Sequence, residues 1–256
     1  MMRTIPLVLA FFLACPALAA DPVRPDVDAR ALHAAAEQVW ADAPELARQA
    51  ADLPVMTTRA GGSRLGAGTP DPRVAPVHLD LAVSGDLEHD ARLAHARAGA
   101  SLLQDDLSLA QPLLTSDDPG LRGAVLAGLS RNTGRDAGFA LAEATADPDA
   151  NNRAIAVALL GARTDAADHA GALARAASDS SPEVRRLAVR ALGYHKVVAQ
   201  QAVVQARLSD RDAKVRFTAL RALERIDRNA AVNAAKGLQS DPDRNVRRAA
   251  SELVGQ

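Results

Sequence analysis

The sequence predicts an all-α protein: a right-handed α-solenoid of about five to six helical hairpins behind an N-terminal helical segment. Three observations predict it. The 256 residues are 48% hydrophobic yet only 2% aromatic, so the apolar mass is Ala, Leu and Val, which favours closely packed helices over sheets. A frame of Asp, five residues and Arg recurs at Asp86–Arg92, Asp147–Arg153, Asp179–Arg185, Asp210–Arg216 and Asp241–Arg247, with a version around Asp117 and Arg122 that is one residue short. The arginines at 92, 122, 153, 185, 216 and 247 stand 30, 31, 32, 31 and 31 apart. That period is too long for a coiled coil and suits two short helices with their turns.

Residues 1–19 read as a signal peptide. Arg3 supplies the positive end, Ile5 to Ala14 the apolar run, and Ala17-Leu18-Ala19 a small-x-small cleavage site cut after Ala19. The run falls short of the ~20 residues a membrane span needs. A competing reading makes Cys15 the lipidated first residue of a lipoprotein, but Phe12 and Pro16 are poor neighbours for that signal. The expected compartment is therefore the periplasm or the outside. Cys15 is the single cysteine, so the mature chain has no disulfide, thiolate nucleophile or Cys-ligated metal to offer.

Residues 20–56 form the N-terminal helical segment. Leu32, Ala36, Trp40, Ala43, Leu46 and Ala50 fall roughly in line, and Pro44 divides the stretch into two helices, since proline is comfortable in a first turn. This segment is placed to cap the first repeat. Residues 57–75, rich in Gly and Pro, read as a linker. "VHLDLAV" (77–83) alternates like a strand, but its position suits the first helix of the first repeat.

Residues 76–256 are the repeat domain. Each unit opens on a turn ("ADPDAN", "SDSSPE", "SDRDAK", "SDPDRN") whose Ser or Asp caps the coming helix. At 100° per residue, Val184, Leu187, Ala188, Ala191 and Leu192 share one broad face with Val189 at its margin. Val215, Ala219, Ala222 and Leu223 repeat it, with Leu220 at the margin. A stripe this wide belongs to a helix that touches both its own partner and the next unit. The first helices, such as "VVAQQAVVQARL" (197–208) and "NAAVNAAKGL" (229–238), are plainer.

The pattern Val184-Arg185…Ala188…Ala191-Leu192-Gly193, repeated at Val215-Arg216 and Val246-Arg247, resembles HEAT-like repeats in the short form of the phycobilisome-lyase type. The resemblance covers about residues 76–256 and is most specific in the last three units; at Arg92, His95 and Gly99 occupy apolar positions. It implies that the repeated Asp and Arg form a structural ladder between adjacent turns: Asp147, Arg153, Asp179, Arg185, Asp210, Arg216, Asp241 and Arg247.

No catalytic constellation stands out. "EHDARLAH" (88–95) gathers His89, His95 and carboxylates, but the two histidines are not an i, i+4 pair, and both read as solvated. Some HEAT-like proteins are iron-dependent hydroxylases with His-Glu ligand pairs; no His-Glu dipeptide occurs here. "GGSRLGAG" (61–68) lacks the strand and the Lys-Ser/Thr of a phosphate loop. The sequence thus points to no cofactor, no metal and no enzyme. A lyase-like or metal-dependent accessory enzyme on the same scaffold is the alternative.

What packing leaves over is the face of the second helices opposite the stripe: Gly123 and Ala127, Ala154 and Ala158, Arg186 and Arg190, Phe217 and Arg221, Arg248 and Glu252. If the second helices line the inner surface, this row is a concave groove, neutral in front and basic behind. Its binding candidates are Arg186, Arg190, Phe217, Arg221 and Arg248, with Phe217 expected to be exposed between arginines. Charge follows the same asymmetry: net −8 over Asp21–Ser178 and net +6 over Asp179–Gln256. Arg binds carboxylates bidentately, so a partner protein with an acidic segment is the expected ligand. Export removes the chain from nucleic acid.

Overall fold

The computed structural model describes residues 29–51 and 71–255. The expected signal peptide, Cys15 and most of the Gly/Pro-rich segment lie outside the described residues. The chain begins with α1 (Ala29–Asp42) and α2 (Pro44–Ala51). Proline lacks the amide a helix interior needs, so α1 stops before Pro44 and α2 starts on it. Leu32 is buried with Leu79, Ala82 and Ala96 of the first hairpin, and Ala47 and Ala50 cluster with Val74 and Val77. The two helices therefore cover the first hairpin's apolar edge.

Six helical hairpins follow among the described residues. Their first helices are α3 (Ala75–Val83), α5 (Gln111–Leu114), α7 (Arg135–Ala144), α9 (Ala170–Ala176), α11 (Gln201–Ala206) and α13 (Arg228–Leu238). Their second helices are α4 (His89–Leu102), α6 (Pro119–Gly128), α8 (Ala150–Ala162), α10 (Pro182–Tyr194), α12 (Ala213–Ile226) and α14 (Arg244–Val254). No strand occurs among the described residues, and "VHLDLAV" lies in α3. Several first helices are short: residues 197–208 form α11 flanked by single 3₁₀ turns at Val198–Gln200 and Arg207–Ser209.

The second helices begin on the turn acids. Asp118, Asp149, Asp212 and Asp243 each accept a hydrogen bond from a backbone amide in the first turn, at 2.8–3.1 Å, satisfying donors the helix itself cannot. Ser181 begins α10 without such a bond; Pro182 follows it at the first helical position.

Second helices stack on one another through small residues. A Cβ placed on Gly161 would lie 2.7 Å from Ala191 Cβ, and one on Gly193 would lie 2.5 Å from Ala222 Cα. These glycines set how closely α8, α10 and α12 approach. The apolar face is broader than the sequence pattern alone implies: Val189 and Leu220, expected at its margin, are fully buried, because each second helix is covered by its own partner and by neighbours on both sides.

One sequence expectation is overturned in the first hairpin. His95 is not solvated; it is 5% exposed, and its Nδ1 lies 2.8 Å from Nδ1 of buried His78. One ring must donate and the other accept, so the acceptor is neutral, and burial favours the neutral form of both, in opposite tautomers. Burial, then the neighbouring His95, pushes His78 down to about 4; burial lowers His95 as well. Gly99 makes room beside the pair, since a Cβ there would meet the Leu79 side chain at 2.7 Å. His89, by contrast, is exposed, 3.4 Å from Asp118.

Candidate functional site: a basic groove on the second-helix layer

The groove rests on a repeated ion-pair ladder. Arg185 donates from Nε and Nη2 to both oxygens of Asp210 in the following turn, at 2.8 and 2.7 Å. Its Nη1 donates to the carbonyls of Asp179 and Ser180 in its own turn, at 2.9 and 3.0 Å. Arg153 with Asp179 and Arg216 with Asp241 repeat the arrangement. Each of these aspartates also accepts from the amide two residues on, so one side chain closes its own turn and receives the previous unit's arginine. Arg247 donates to the carbonyls of Asp241 and Pro242.

Arg122 belongs to the same ladder, bidentate to Asp147 at 2.8 and 2.9 Å. Its Nη1 donates to the carbonyls of Ser116 and Asp117, six and five residues back, as in the other units. This corrects the sequence reading: the unit is not one residue short, because Ser116 occupies the Asp position and its hydroxyl accepts from the Asp118 amide at 3.2 Å. Arg92 donates from Nε to the Ala82 carbonyl at 2.9 Å instead of to a carboxylate in the next turn.

Burial alone would raise the ladder carboxyls. For Asp210 the hydrogen bonds from Arg185 and the Asp212 amide more than offset burial and hold the carboxyl below the usual carboxylate range. Asp179 behaves the same way with Arg153 and the Ser181 amide. Ionised at neutral pH, these acids carry the bidentate pairing that Arg geometry suits.

With that ladder holding the turns, α8, α10 and α12 present a groove of about 670 Å³. Ala158, Gly161 and Ala162 form a small-residue wall on α8. On α10, Arg186, Arg190 and Tyr194 are successive i, i+4 positions; on α12, so are Phe217, Arg221 and Arg225. The groove thus gathers four of the five candidates and excludes Arg248, which is exposed on α14, 3.6 Å from Glu252. The row does not extend to the front either: Gly123 is buried under the Asn152 side chain.

The candidates differ in what they leave open. Arg186 is bound to Glu183, with Nε donating at 2.9 Å. Arg221 donates to Glu224 at 3.1 Å and to Glu252 at 2.9 Å, and lies over the Phe217 ring at 5.8 Å. Phe217 is half-buried and packs on the apolar core, contrary to the expectation that it stands exposed. The exposed aromatic of the groove is Tyr194, 66% accessible, with the Arg225 guanidinium 5.9 Å from its ring centre. Tyr194 and Arg225 escaped the sequence reading because the row was traced by two positions per helix; one further i+4 step reaches both.

Among the described residues, no group of three or more His, Cys, Asp or Glu side chains is arranged to hold a metal ion. No described helix is long and apolar enough to cross a membrane.

Residues 137–202 match the family described as HEAT repeats. No curated protein matches the sequence. Among solved structures, the chain is similar to YIBA of E. coli, with 14% identity and a TM-score of 0.52, covering 86% of this chain and 85% of that one. It also matches the CpcE–CpcF complex of phycocyanin lyase from Nostoc sp., at 18% identity and TM-score 0.47 over 77% of this chain and 81% of that one. A designed armadillo repeat protein matches at 16% identity and TM-score 0.46 over 70% and 97%. Residues 137–202 thus match HEAT repeats, and the described residues as a whole build an all-α solenoid of stacked helical hairpins.

Proposed function

We propose that this protein is an exported, non-enzymatic scaffold that binds a partner protein through the groove between α8, α10 and α12. The repeat fold is consistent with a protein-interaction scaffold. The observation that carries the reading is the groove itself: a broad concavity with an exposed Tyr194, an apolar small-residue wall and a cluster of guanidinium groups. Tyr and Arg are enriched where interfaces concentrate their binding energy, since each combines a large apolar surface with a polar end. Export rests on the leader-like residues 1–19, and places the partner in the periplasm or outside the cell.

Position-specific photo-crosslinking tests the reading. A benzophenone amino acid replaces Thr218 inside the groove or, as control, exposed Gln205 on α11, in the full chain expressed in its native host. Discrete protein adducts from position 218 and none from 205, recovered from the envelope fraction, are expected. Equal adducts from both positions, or none from 218, would refute a groove-based scaffold.

A further inference from the structure

The groove's charges divide into satisfied and open ones, and the division defines a ligand. Arg186 and Arg221 are paired with carboxylates of their own chain. Arg190 and Arg225 are exposed and have no hydrogen bond or ion pair to a described residue. Arg190 acts at a distance as a minor influence holding Glu183 ionised, and Arg225 only lies over Tyr194. We infer, resting on the scaffold reading above, that the groove takes an extended acidic peptide segment whose two carboxylates, about three residues apart, engage Arg190 and Arg225, with small or apolar residues between them against Tyr194 and the Ala158–Gly161–Ala162 wall.

The spacing follows from helix geometry. Arg190 and Tyr194 are one turn apart on α10, an axial offset of ~6 Å, and Arg225 approaches Tyr194 from the adjacent α12. Neighbouring helices pack with axes 8–10 Å apart, so the positions of Arg190 and Arg225 are separated by roughly 10–12 Å. A polyproline-II-like chain advances ~3.1 Å per residue with three residues per turn, so residues i and i+3 share one face roughly 9 Å apart, and their side chains span the remaining distance to the two guanidinium groups.

Charge balance argues for a short peptide over a polyanion. Glu183 and Glu224 flank the groove and neutralise half of its arginines. A nucleic-acid or polysaccharide backbone needs a continuous row of open cations, and here two remain open, beside an apolar wall that a phosphate or sulfate chain would leave unused.

The test uses a fluorescein-labelled peptide, Ser-Glu-Leu-Ala-Glu-Ala-Ser, titrated with the full protein at 50 mM salt. Comparison peptides carry Gln at both Glu positions or the two Glu side by side. The i, i+3 peptide is expected to bind at least tenfold more tightly than the Gln peptide and more tightly than the adjacent-Glu peptide. Arg190→Gln and Arg225→Gln should each weaken it about tenfold; both sites are exposed, and unchanged circular dichroism shows that the variants fold. Arg248→Gln, outside the groove, should leave binding unaltered. Equal binding of the Gln peptide, indifference to Arg225→Gln, or tighter binding of heparin than of the peptide would overturn the inference. Peptide failure with adducts at position 218 sinks the acidic ligand and leaves the scaffold; failure of both sinks both.

Discussion

The Arg185–Asp210 rung predicts a large and specific stability loss. Both side chains are only 5% exposed. Asp210→Ala would leave Nε and Nη2 of Arg185 facing no acceptor where water barely reaches, and breaking such a buried pair costs about 3–5 kcal/mol. The Asp212 amide also loses the acceptor that closes its turn, adding about 1 kcal/mol. Arg185→Ala removes the same pair from the other side. Because one interaction is deleted twice, the double variant should fall short of the sum of the singles by about 2–3 kcal/mol. The internal control is Arg186→Ala: its pair with Glu183 is 27% and 54% exposed, and should be worth less than about 1 kcal/mol. Urea unfolding followed by far-UV circular dichroism reads all four variants. If Asp210→Ala costs no more than Arg186→Ala, or the coupling is below about 0.5 kcal/mol, the ladder is not what holds adjacent turns together.

Three further outcomes follow. The His78–His95 pair binds fewer protons folded than unfolded, because His78 falls to about 4 while an unfolded histidine titrates near 6.5. Stability should therefore drop as pH falls through 6.5, by about 2 kcal/mol between pH 7 and 5 from His78. His78→Leu with His95→Leu should flatten that part of the urea-derived profile, and an equal slope in both proteins would refute the assignment. Gly193→Ala forces a Cβ against the Ala222 backbone and should destabilise by about 1–3 kcal/mol. Gly237 in α13 has nothing within 4 Å of an added Cβ, so Gly237→Ala should stabilise by about 0.5–1 kcal/mol; thermal unfolding distinguishes the two signs.

Much of the fold is legible along the chain because it rests on local rules. Helix phase depends on residues three and four apart, so Val184, Leu187, Ala188 and Leu192 could be assigned to one face before any neighbour was known. Pro44 divides α1 from α2 by covalent chemistry alone. Where the reading slipped, the missing information was a distant neighbour. Ser116 looks like a gap in the Asp frame until its hydroxyl is seen closing the turn as Asp147 does. His95 looks like a solvated helix residue until His78, 17 positions earlier, satisfies it in the interior.

The site divides the same way. By itself the sequence determined an all-α stack of hairpins with a period near 31 and a basic rear half, because periodicity and composition are properties of the chain. Only the tertiary structure decided which arginines are open. Arg186 is closed by Glu183, three residues back on its own helix, a pairing the sequence spacing already allows; that no carboxylate of a described neighbouring helix reaches Arg190 is visible only in the folded stack. Arg221 is closed in part by Glu252, 31 residues on. A guanidinium's availability depends on carboxylates of its own turn and on those the next helix brings within about 3 Å, and the second kind of contact exists only once the hairpins have stacked.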